Sequence, residues 1–151
     1  MTDRLVIIDA SVAIKAILPN PLQEHCQALV LTFVEVQPAA PALWAYETTS
    51  AISKAVHFEQ LTDQEGRQAL EQVEALKVRL FVPDSEQNRV AYDWTRRLHR
   101  ASAYDSFYLA LAQALESDFW TADKRLFSAL GNANLKWLHW IGEFAPSNHE
   151  A

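Results

Sequence analysis

The sequence predicts a single α/β domain with a mainly parallel central sheet flanked by helices on both faces. Short apolar, β-branched runs alternate along the chain with segments of helical periodicity, and parallel strands need such crossovers to lie side by side. Two of the apolar runs are also followed within two residues by an aspartate, at the edge where parallel sheets place their chemistry. A chain of 151 residues matches one ordinary domain and can bury a real core.

The first element is the run LVIID, residues 5–9, a buried strand feeding the helical SVAIKAIL. A second helix is expected from Leu22 to Phe33, leading into VEVQP. Pro41, read as the first helical residue, then opens the long helix ALWAYETTSAISKAVHF. Thr62 and Glu65 have the spacing of a capping box for a helix reaching Lys77, with Leu61 placed as a staple residue. RLFVP supplies a strand, 85–100 a helix, Tyr104 to Leu115 a markedly apolar helix, DFWT a strand, Lys124 to Leu130 a short helix, and LKWLHWI the last strand. The domain is expected to span 1–145, with 146–151 as a flexible tail.

Composition excludes several classes of function. Half of the residues are hydrophobic and 21% are charged, as in globular chains. A net charge of -6 argues against coating nucleic acid by global electrostatics, though acids gathered around cations would be partly neutralised. Cys26 is the single cysteine, which rules out an intrachain disulfide and suits the cytoplasm. Neither a signal peptide nor a membrane span is expected. With 3 glycines there is no Gly-rich phosphate loop, so no nucleotide cofactor is expected. His25, His57, His99, His139 and His149 show no zinc spacing and are read as surface or structural.

Four acids stand out, each with an ordinary structural explanation beside the functional one. Asp9 ends the first strand, where it could cap the next helix unless Ser11 does so and leaves its carboxylate free. Glu47 shares a helix face with Ser50 and Lys54, yet its neighbours Leu43, Trp44, Tyr46, Ala51 and Ile52 mark a largely buried helix in which a charge needs a partner. Asp105 begins the apolar helix, where the helix dipole alone favours an acid. Asp123 follows FWT as Asp9 follows LVII, and the two would meet if their strands are neighbours. Asp118, at the other end of the same strand and roughly 15 Å away, is read as a loop residue.

Together VIIDASVAIK, LWAYETTSAI, AYDSFYLALA and FWTADKRLF resemble the PIN domain, particularly the VapC-like toxins of bacterial type II toxin-antitoxin pairs. The resemblance implies a ribonuclease dependent on Mg²⁺ or Mn²⁺, acting as a homodimer and held by a small antitoxin protein. By position it carries over Asp9, Glu47, Asp105 and Asp123 as catalytic and metal-binding acids, with Ser11 and Thr121 as auxiliary hydroxyls. Ser50 stands where many relatives have Asn.

The chemistry is coherent independently of that likeness. Crowded carboxylates raise one another's pKa, so a divalent cation is needed to keep them ionised, and oxygen-only ligands favour Mg²⁺ or Mn²⁺ over zinc. Lys124 and Arg125 are placed to hold substrate phosphate, while Arg96, Arg97 and Arg100 are read chiefly as complements to a helix C-terminus. The five tryptophans are read mainly as core or interface residues, Trp137 and Trp140 being those expected to meet a partner chain. Two rivals differ in class. A catalytically silent PIN-fold module binding RNA or protein predicts a broken acidic position, and a phosphohydrolase predicts paired acids at the first strand. Neither pattern is present.

Overall fold

The computed structural model describes residues 4–145; the tail expected at 146–151 lies outside them. Its five strands are β1 (Leu5–Ile8), β2 (Gln37–Pro41), β3 (Arg79–Phe81), β4 (Phe119–Thr121) and β5 (Leu138–Trp140). They form one sheet in the order β3-β2-β1-β4-β5, and every pairing is parallel. Ile7, Ile8 and Phe119 are fully buried, as expected of strands covered on both faces.

The helices are α1 (Ala10–Ile17), α2 (Gln23–Leu31), α3 (Leu43–His57), α4 (Asp63–Ala75), α5 (Ser85–Arg97), α6 (Tyr104–Ala114) and α7 (Lys124–Ala129). α1 packs with α2, α3 and α4, whereas α5 packs with α6, which lies on β1, β2 and β4. The strand order explains this division. From β1 the chain steps outward to β2 and β3, then returns across the sheet to β4, so right-handed crossovers put the two helical groups on opposite faces. Between β1 and β4 the direction of travel reverses. Such a switch point opens a crevice at the carboxyl ends of the two strands.

Local signals account for most boundaries. Thr62 and Glu65 form the expected reciprocal capping box at the start of α4. Leu61 has no staple partner, because the matching position in α4 is Gly66, which has no side chain. Pro41 is the last residue of β2 rather than the first of a helix; Ala42 takes helical angles and α3 begins at Leu43. The pyrrolidine ring suits the end of a strand as well as a helix start, because its fixed φ fits both. β2 also contains Pro38, and Gln37 before it donates its Nε2 to the Lys77 carbonyl at 2.9 Å. The helix expected to reach Arg100 ends at Arg97, and α2 gives way to a 3-10 turn at Thr32–Val34.

Among the described residues no helix is long and apolar enough to cross a membrane. Cys26 is buried and free, and burial pushes its thiol up to about 12, where it is inert at neutral pH. Trp44 and Trp94 belong to the core, the latter donating its indole N–H to Gln113 at 2.8 Å. Trp120, Trp137 and Trp140 pack partly buried against that core.

Candidate metal centre at the sheet switch point

Asp9 and Asp123 leave the carboxyl ends of the adjacent strands β1 and β4, paired at Ile8 and Trp120. Asp9 is the N-cap of α1: its Oδ1 accepts from the Val12 amide at 3.3 Å. Ser11, which could have been the cap, instead donates its hydroxyl to Asp9 Oδ1 and accepts the Ala122 amide at 3.1 Å. Thr121 donates its hydroxyl to Asp9 Oδ2 and accepts the Asp123 amide at 3.0 Å. The two hydroxyls thus bind Asp9 and the turn after β4 into one unit. Lys15 Nζ ties the same turn to α1 by donating to the Ala122 carbonyl at 2.8 Å.

Asp123 caps α7 through its Oδ1, which accepts from the amides of Arg125 and Leu126 at 3.0 and 3.3 Å. Asp105 lies in the first turn of α6 without a capping bond of its own and pairs with Arg100 Nη1 at 2.9 Å. Glu47 projects from α3 and accepts from the Tyr108 hydroxyl at 2.6 Å. For Asp9 and Asp123 the capping role and placement at the crevice therefore coexist.

The four acids are electrically linked. Burial pushes Asp9 up from 3.8 to about 6, against the hydrogen bonds of Ser11, Thr121 and Val12, and the charge of Asp123 adds to the rise. Asp105 is raised by burial and then by Asp123, with Arg100 opposing. Glu47 is raised by burial, opposed by the Tyr108 hydrogen bond, and raised again by Asp105. Tyr108 is pushed far up by burial and by Glu47 and Asp9, so it stays a neutral donor.

Among the described residues no three His, Cys, Asp or Glu side chains form a group that could hold a metal ion. The donor set nonetheless fits a hard, hydrated cation. All the donors are oxygens, and Mg²⁺ commonly takes one or two carboxylates while keeping several waters. Each of the raised acids would also gain from a nearby positive charge.

Other expected residues fall around these acids. Ser50 is exposed on α3 and lines a cleft with Glu47. Lys124 Nζ lies over the rings of Trp140 at 4.7 Å and Phe127 at 5.4 Å, while Arg125 is exposed in the first turn of α7. Arg100 is engaged by Asp105 rather than by a helix C-terminus, whereas Arg97 lies over the Trp94 ring at 4.9 Å. Asp118 sits at the opposite edge with His139 Nε2 at 2.9 Å and Arg4 Nη2 at 3.5 Å.

Sequence reasoning missed Tyr108 and Lys15. Tyr108 is one turn beyond Asp105 in a helix read as wholly apolar, and the available signal was that a buried tyrosine hydroxyl needs a partner. Lys15, with a long flexible stem, gave no comparable signal.

Residues 6–132 match the family model described as PIN domain. Proteins named Ribonuclease VapC1 from Mycobacterium tuberculosis, strains CDC 1551 / Oshkosh and ATCC 25618 / H37Rv, are each 34% identical to this chain over 92 residues. Those 92 residues cover 61% of this chain and 67% of each relative. With the all-parallel sheet and the strand-end acids, the match over 6–132 places the chain in the PIN domain family.

Proposed function

We propose that this chain is an endoribonuclease dependent on Mg²⁺ or Mn²⁺, and the toxin of a type II pair with a small antitoxin protein. The observation that carries the reading is the electrically linked row of oxygen donors at the β1/β4 switch point, three of them raised by burial and by one another. The similarity to proteins named Ribonuclease VapC1 supports RNA as the substrate and a toxin role. A homodimer working in the cytoplasm completes the proposal.

Asp9 and Asp105 would hold the ion, with Asp123 and Glu47 completing its surroundings. A bound Mg²⁺ or Mn²⁺ would lower the pKa of a water and steady charge on the attacking and leaving oxygens of the phosphodiester. Ser11 and Thr121 fix Asp9 in one orientation, so little reorganisation is needed when substrate arrives. Tyr108 occupies Glu47 Oε1, which leaves Oε2 to accept a proton from the attacking water. Arg125 is the better placed of the two basic residues for a phosphate, since the Lys124 amine is drawn onto Trp140.

The test incubates purified protein with structured and single-stranded RNA in Mg²⁺ or Mn²⁺, with and without EDTA, beside Asp9→Asn and Asp105→Asn. Cleavage that requires the metal and both carboxylates is expected. Cleavage that survives chelation and both substitutions overturns the proposed mechanism, and RNA left intact under every condition overturns the activity.

A further inference from the structure

Arg100 differs from every other partner of the acids. Asp9 accepts from two hydroxyls and an amide, Asp123 from two helix amides, and Glu47 from the Tyr108 hydroxyl. Those donors are neutral, and a carboxylate that accepts from them keeps lone pairs for a metal ion. Asp105 is held by a full positive charge instead, through Arg100 Nη1 at 2.9 Å. Among the described residues this is the only ion pair made by any of the four acids.

The pair is built so that only its side chains can part. α5 closes on a left-handed turn at His99, with φ 54°, and the Arg100 amide donates to the Thr95 carbonyl at 3.1 Å. The Thr95 and Ser106 hydroxyls share a buried hydrogen bond of 2.8 Å, which fixes the end of α5 against the first turn of α6. The backbones of Arg100 and Asp105 are thus held in place on both sides. Their side chains are 29% and 38% exposed, so the guanidinium can swing into water without opening the core. Against burial and the charge of Asp123, Arg100 lowers Asp105, which is the service a metal ion would render there. A guanidinium and a divalent cation that seek one carboxylate also repel each other.

We propose that Arg100 is a built-in counter-ion that competes with the divalent cation for Asp105, so that this ion pair sets the metal concentration at which the acids load. In the metal-free protein Arg100 neutralises Asp105; the arriving ion takes the carboxylate, and the arginine moves out to solvent. The proposal rests on the metal-dependent reading of the site and adds to it a restraint supplied by the chain itself.

The experiment titrates Mn²⁺ into the purified protein at pH 8 and follows the free hexaaqua ion by electron paramagnetic resonance. Urea denaturation in EDTA verifies that each variant is folded. Arg100→Gln should bind Mn²⁺ about 3- to 10-fold more tightly, between the worth of a partly exposed ion pair and the repulsion of a divalent ion by a nearby unit charge in water. Arg100→Lys keeps the charge and should stay within about 2-fold of wild type. In an Asp105→Asn background the Arg100→Gln change should alter affinity by less than about 2-fold, because the contested carboxylate is gone.

An Arg100→Gln affinity equal to or weaker than wild type overturns the proposal, since Arg100 would then orient Asp105 for the ion rather than withhold it. The same tightening in the Asp105→Asn background overturns it too, because the effect would not pass through Asp105. Absence of saturable Mn²⁺ binding in both wild type and Arg100→Gln overturns the proposal together with the metal reading. Tighter, Asp105-dependent binding by a protein that cleaves no RNA would keep the proposal and remove the nuclease reading.

Discussion

Replacing Asp9 by Asn should stabilise the metal-free protein at alkaline pH. Burial raises this carboxyl from 3.8 to about 6, a displacement worth ~3 kcal/mol between its two protonation states. Because the folded value is the raised one, the folded chain binds this proton more tightly than the unfolded chain. The resulting stability is complete below about pH 3.8 and is lost as pH rises through about 6. Above pH 7 the ionised Asp9 therefore costs the fold ~3 kcal/mol, and Asn at this position carries no such charge.

The substitution also has a cost. Ser11 and the Val12 amide donate to one carboxylate oxygen and Thr121 to the other; Asn keeps one acceptor oxygen, but its NH2 cannot accept from the Thr121 hydroxyl, which must turn to accept from it, at a cost of about 1 kcal/mol in sum. The expected net gain is ~2 kcal/mol at pH 8 in EDTA, which for a domain of this size corresponds to a Tm rise of about 4–8 °C. Urea denaturation followed by tryptophan fluorescence from pH 4 to 8.5 measures it. At pH 4 the gain should vanish, and in Mg²⁺ the wild type should recover most of the difference because only it gains a ligand. An Asn variant less stable than wild type at pH 8 in EDTA, or a difference flat across pH, would falsify the electrostatic account.

Three further outcomes follow from the same contacts. Thr121→Val removes one hydroxyl donor to Asp9 and the acceptor of the Asp123 amide, so the acid limb of kcat/KM against pH should move upward. The expected loss is about 10-fold near pH 6, narrowing above pH 8. Tyr108→Phe leaves Glu47 without its 2.6 Å donor; steady-state kinetics should show kcat falling about 10- to 100-fold with KM little changed, and denaturation a stability change within about 2 kcal/mol. Arg100→Gln removes the cation that holds Asp105 down, so Asp105 should titrate at higher pH. The pair is partly exposed, so activity measured near pH 6 should fall only about 2- to 5-fold.

The strands of the sheet's centre were legible because they are buried on both faces, so LVII and FWT read as unbroken apolar runs. β2 was not. QPAAP has two prolines and two alanines, none of which favours a strand, and its position between β1 and β3 is set by pairing at long range. The capping box at Thr62 was readable because the signature is local. Strand order was not, although it brings β1 and β4 together and thereby sets Asp9 beside the turn that carries Asp123. Tyr108 was hidden for a related reason, since nothing in AYDSFYLALA marks which of its rings points a hydroxyl at a glutamate 61 positions earlier.

Reading each acid as either a helix cap or a functional group set up a false choice. Asp9 caps α1 and Asp123 caps α7, yet capping does not settle their charge. Asp9 accepts from two hydroxyls and an amide, all of which favour its ionised form, and burial still prevails. The side-chain cations nearby do little to help: Lys15 donates to the Ala122 carbonyl, and among the described residues Arg100 is the only cation paired with any of the four acids. Ionised together, they would leave an excess of three negative charges around a partly buried crevice, which dipoles and hydroxyls do not neutralise. A stable fold has no use for that excess. Under the proposed function a divalent cation would take up that excess, and the hydroxyls, whose lowering of Asp9 is outweighed by burial, would fix its orientation toward the ion.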